Sequence, residues 1–206
     1  MYYGIDAGIK DFSVCIINDE KEVVYISNFW KEGLFWFVDH YSPKLITINL
    51  PDEKEIDAPA RLKTALDIIH KLKTEFDYKS PTFDEIKRGE PNIIIKTSAD
   101  LFFQKIVRKQ LLPFHTREGL EQRIYNLKKT GIKLDKQILA KEKNKLRREL
   151  GAIIAAFTSY SVANRSFEKV DIEKGFLIVP KYRFVPSTNR IIRRKPVSTT
   201  QQKTEQ

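Results

Sequence analysis

Residues 2–17 read Tyr-Tyr-Gly-Ile-Asp-Ala-Gly-Ile-Lys-Asp-Phe-Ser-Val-Cys-Ile-Ile, and this stretch limits the fold more than any other. A short β-rich run ends in one carboxylate, Asp6, turns through Gly8, and returns with Phe12, Val14 and Ile16 alternating against Ser13, Cys15 and Ile17. Period-two alternation on both sides of a glycine turn predicts a β-hairpin that opens a sheet. Asp6 falls near the end of the first strand. An acid in an apolar strand is expensive to bury unless it is paired or holds a metal. An exposed edge carboxylate or a turn-former would carry no such meaning, and both readings stay open at this point.

Further strands and helices follow in an order that suits one α/β domain. Glu22–Phe29 reads as a third strand, and the aromatic segment Trp30–Val38 as a helix lying on the sheet, with its two tryptophans buried there. Lys44–Leu50 is almost continuously apolar, as a central parallel strand is, and it places Asn49 at its C-terminal end before Pro51 breaks it. Polar residues at that end of a central strand are common ligand positions in open α/β sheets. Residues 52–60 form an acidic loop. Pro59 then starts a helix through Arg61, Leu62, Leu66, Ile69 and Leu72. Residues 77–91 read as a charged insertion or flexible loop, Asn92–Lys96 as a buried strand, and Ala99–Leu112 as a helix. Thr116 caps a helix that ends near Gly131, and Asp135–Asn164 reads as one long helix, basic first and then apolar. Gly175–Pro180 is a last strand. The domain is expected to span residues 1–185, with residues 186–206 a disordered basic tail rich in Arg, Ser, Thr and Gln.

Composition narrows the classes of function. Cys15 is the single cysteine of the 206 residues, which excludes a disulfide framework or a cysteine-based zinc site and suits a reducing, cytoplasmic setting. The three histidines (His40, His70, His115) are far apart and lack ligand spacing. No apolar run is long enough for a membrane span, and the chain opens directly on strand residues, so no signal peptide is expected. The net charge of +10 is unevenly placed: residues 1–100 carry 13 Lys+Arg against 18 Asp+Glu, whereas residues 101–150 carry 14 against 5. A basic half of this kind points to a polyanion, most often nucleic acid, although a solvated lysine-rich helix face gives the same count.

Five short motifs then fall in one order. Gly4-Ile5-Asp6-Ala7-Gly8 resembles the opening of a family of RNase H-like predicted nucleases, and less closely that of the Holliday-junction resolvases. Ile94-Ile95-Lys96 into Ser98 resembles that family's strand leading to a helix, and Thr116-Arg117-Glu118-Gly119 with Arg123 its Thr-x-x-Gly-x-x-x-Arg segment. Glu149–Ala156 resembles the closing helix, and Gly175–Pro180 the terminal strand. The resemblance covers about residues 1–181 and implies an RNase H-like mixed sheet with flanking helices. It also implies phosphodiester cleavage by two Mg²⁺ or Mn²⁺ ions, held by acids from the first strand, the central strand and the last helix.

The sequence departs from that pattern at two of the three positions. Asp6 is present, but Asn49 and Gly151 stand where acids are expected. The catalytic candidates are Asp6, Asn49 and Glu149, and the metal-ligand candidates are Asp6, Glu149 and Asp52, with Asp11 a further substitute. Glu149 precedes Gly151 by two residues, a rotation of about 200° on a helix. The expected function is therefore nucleic-acid binding on a nuclease scaffold with weakened or lost metal-dependent catalysis. Its contacts would be Arg117, Arg123, Lys128, Lys141, Lys145 and Arg148, with Arg193 and Arg194 of the tail. The alternatives are an active nuclease with rearranged acids and a structural subunit that binds a protein partner. Gly4–Gly8 also resembles the phosphate-binding hairpin of actin-like ATPases, but 206 residues leave no room for their second domain.

Overall fold

The computed structural model describes residues 1–51, 56–107, 110–135, 142–173 and 175–182. The opening hairpin forms as its alternation requires: β1 (Tyr2–Ala7) pairs antiparallel with β2 (Asp11–Ile17), closed by a hydrogen bond from Gly8 N to Asp11 O at 2.8 Å. β3 (Val23–Trp30) extends the meander, and helix α1 (Lys31–Tyr41) buries Leu34, Phe35, Phe37 and Val38. β4 (Leu45–Asn49) then pairs parallel with β1, and β5 (Ile93–Thr97) pairs parallel with β4. The sheet order is β3-β2-β1-β4-β5, with β2 the strand that runs against its neighbours on both sides. This mixed five-stranded sheet with helices on both faces is the RNase H-like architecture.

The core divides by face, because side chains alternate along each strand. One face buries Ile5, Ala7, Val14, Ile46 and Ile48 under α1 and α2 (Ala58–Glu75). The other buries Cys15 and Ile17 under α4 (Ala99–Ile106), α5 (Arg117–Lys129) and α6 (Lys143–Ala163). Helix α6 lies unusually close to β1. A Cβ on Gly4 would sit 2.0 Å from Ala156 N and 2.3 Å from Ala152 O, so only glycine permits this backbone contact. Small residues continue the seam: Ser159 Oγ donates to Tyr3 O at 2.7 Å and accepts from Thr47 Oγ1 at 2.7 Å. A hairpin of β6 (Phe167–Ile172) and β7 (Gly175–Pro180) packs beside the β5 edge, joining Ile93, Ile95 and Ile178 in a third apolar patch.

Several expectations are corrected by packing. Residues 77–91 are not all loop: α3 (Phe83–Arg88) forms there, held by a reciprocal Thr82–Glu85 capping box and by burial of Ile86. The last strand has a partner, β6, whose charged sequence hides its strand character. Trp30 and Trp36 are 67 % and 60 % exposed rather than buried, since α1 turns Phe35 and Phe37 inward in their place. The buried stripe of α2 is Ala58, Arg61, Ala65, Ile68, Ile69 and Leu72, leaving Leu66 exposed. The long helix is described over Lys143–Ala163; the part of it expected at residues 136–141 lies outside the described residues, as does the basic tail.

Candidate functional site

Parallel pairing of β1 with β4 sets Asp6 directly opposite Asn49 at the C-terminal ends of both strands. Asp6 is fully buried and Asn49 nearly so. Asn49 Nδ2 donates to Asp6 Oδ1 at 2.5 Å, and Asn49 Oδ1 accepts from the Ala99 backbone N–H at 2.7 Å, capping the start of α4. That second bond fixes the amide's orientation: the oxygen is turned to the helix and the NH₂ to the carboxylate. Asn49 therefore offers Asp6 a donor, and its oxygen is already committed.

A second partner, this one a cation, comes from the other layer. Arg61, only 4 % exposed, extends from the first turn of α2 over the end of β1. Its Nη2 lies 3.0 Å from Asp6 Oδ2 and 3.3 Å from Oδ1, and its Nε donates to Ala7 O at 2.9 Å. Both oxygens of Asp6 are thus engaged by protein donors. Arg61 was not among the candidate residues, since the sequence reading gave it to the apolar face of a helix. A charged residue on that buried stripe, in phase with Ala65, Ile68 and Leu72, was the signal for a buried counter-charge.

Helix α6 closes the remaining side. A Cβ on Gly151 would lie 2.5 Å from Asp6 Oδ1 and 2.9 Å from Asn49 Nδ2. With Asp6 and Asn49 seated as they are, any side chain at position 151 would force one of them to shift. Glu149 is fully buried; burial first, and Glu149 second, push up the pKa of Cys15, which pairs with Gly4 two residues back along β1. Among the described residues, no three His, Cys, Asp or Glu side chains gather into a set that could hold a metal ion. The donor set around Asp6 does not fit Mg²⁺ or Mn²⁺, which need several oxygen ligands; a guanidinium and an amide NH₂ occupy the carboxylate instead.

The other sequence candidates scatter. Asp52 and Lys141 lie outside the described residues, as do Arg193 and Arg194. Asp11 forms an ion pair with Arg148 at the mouth above Asp6, where Asp57 also approaches Arg147 at 3.9 Å. Arg123 is corrected from a nucleic-acid contact to a buried brace. It donates to Leu112 O at 2.8 Å and Gly119 O at 3.1 Å, pairs with Asp100 at 3.3 Å, and stacks 4.1 Å from the Phe114 ring centroid. Arg117, Lys128 and Lys145 are exposed, Arg117 in an ion pair with Glu121 at 2.9 Å.

No family model and no curated protein matches the chain, so the resemblance to one nuclease family stays an expectation while the fold stands on its strand order. Among solved structures, the chain is similar to T. thermophilus RuvC in complex with Holliday junction substrate. The identity is 11 %, with a TM-score of 0.46 over 79 % of this chain and 94 % of that chain. A likeness of that size carries no argument about activity. No helix among the described residues is long and apolar enough to cross a membrane.

Proposed function

We propose that this chain binds nucleic acid on an RNase H-like scaffold without cutting it, its metal-dependent chemistry replaced by an internal ion pair. One observation carries the reading: the Arg61 guanidinium sits on the Asp6 carboxylate where a divalent cation would have to bind. A metal entering there would have to displace a buried arginine and leave its charge unpaired, which is strongly unfavourable. Without a metal, none of the described residues at this end of the sheet is set to activate water or stabilise a leaving oxygen. The basic excess of residues 101–206 supports a polyanion partner.

Fluorescence anisotropy with labelled duplex DNA at three salt concentrations tests the binding half. A surface neutralising about five phosphates gives a log–log salt slope of roughly −4 to −5. No binding even at low salt would refute it. Such a result would favour a protein partner, a reading supported by the exposed rings of Trp30 and Trp36, the latter stacked on His40 at 5.0 Å.

A further inference from the structure

Far from Asp6, at the C-terminal end of α6, lies an open cavity of about 780 Å³ between the β2–β3 turn, α4 and the β6–β7 hairpin. Four cations line it, Lys21, Lys105, Arg165 and Lys181, against one acid, Glu168, which is paired with Lys105. Among the described residues, no carboxylate lies within ion-pair distance of Lys21, Arg165 or Lys181. Three charges on one concave wall repel one another unless an anion joins them.

Backbone conformation marks two of these cations. Five non-glycine residues adopt positive φ: Lys21, Ser42, Asp77, Asn92 and Arg165. Asn and Asp tolerate that region and Ser is small, whereas Lys and Arg gain nothing from it. Both long cations at positive φ line this one cavity. Arg165 (φ 53°) ends α6 in a Schellman motif, with Arg165 N donating to Val162 O at 3.0 Å and Ser166 N to Ser161 O at 2.7 Å. Glycine is the usual residue at that position. A strained arginine there is held against the local preference, and it lines the cationic cleft. Lys21 donates to Thr130 O at 3.2 Å and lies 5.3 Å from the centroid of Tyr160, a ring itself stacked on Phe157, so the cation is held at the wall.

We infer that this cleft, not the Asp6 end, is where the chain grips the phosphates of a nucleic-acid strand. Cationic grooves that track the backbone hold single strands without sequence preference. The inference rests on the nucleic-acid reading proposed above and places its contact surface.

The test compares wild type, Arg165→Gly with Lys181→Gln, and a control Lys63→Gln with Lys73→Gln on α2, using fluorescein-labelled oligothymidylate and anisotropy. Arg165→Gly relieves the backbone and should leave Tm unchanged or raised, so a loss of binding is not a loss of fold. The cleft variant should bind about tenfold more weakly or worse, with a salt slope shallower by roughly 1.4, while the control matches wild type. Wild-type binding that the cleft variant retains in full overturns the cleft and leaves the nucleic-acid reading standing. Absence of wild-type binding at low salt overturns both.

Discussion

Arg61, its Nη2 3.0 Å from Asp6 Oδ2 and its Nε on the Ala7 carbonyl, makes the carboxylate that the nuclease resemblance would give to a metal half of a buried ion pair. Removing one partner strands the other's charge. Arg61→Met should therefore destabilise the fold by about 3–5 kcal/mol in urea unfolding, and adding Asp6→Asn should recover much of that loss. Recovery in the double variant is what separates stranded charge from a mere cavity. Restoring the expected acid at position 151 would require Asp6 or Asn49 to move. Gly151→Asp would press a side chain into Asp6 and Asn49, and should cost about 1–3 kcal/mol or more by thermal melting, with no metal bound in return. A Gly151→Asp variant as stable as wild type would contradict that packing.

Whole elements divide into those whose pattern shows in the sequence and those that tertiary contacts decide. The hairpin, β4, β5 and the side-by-side placement of Asp6 with Asn49 were legible, because alternation, apolar runs and breakers act locally. The partner of Asp6 was not, because Arg61 lies 55 residues away and reaches it only once α2 packs on the opposite face. The exposure of Trp30 and Trp36 was equally hidden, since composition cannot say which aromatic face of α1 meets the sheet. Helix α3 carried a readable Thr-x-x-Glu signature obscured by the charges and prolines around it. Thr82→Ala should cost about 1 kcal/mol of stability, read from urea unfolding. The Glu85 carboxyl is held down to about 2, first by the Thr82 N–H, then by the Thr82 hydroxyl and by Lys79. Its folded pKa lies below the ordinary 4.5, so its contribution is present above that pH and lost as pH falls through about 2. The Thr82 amide resonance should titrate in that low range, and Glu85→Gln should abolish the titration.

Over the whole molecule, opposite ends of α6 carry opposite chemistry. Its first turns bring Arg147 and Arg148 over a sealed, charge-paired Asp6, while its last turn presents Arg165 to an open cationic cleft. On the proposed reading, Asp6 takes an arginine in place of a metal. Crystals soaked in Mn²⁺ and measured for anomalous scattering test it most directly. No anomalous peak is expected within about 2.5 Å of the Asp6 carboxylate, with Arg61 still seated on it. A manganese ion bound to Asp6 with Arg61 swung away would contradict it.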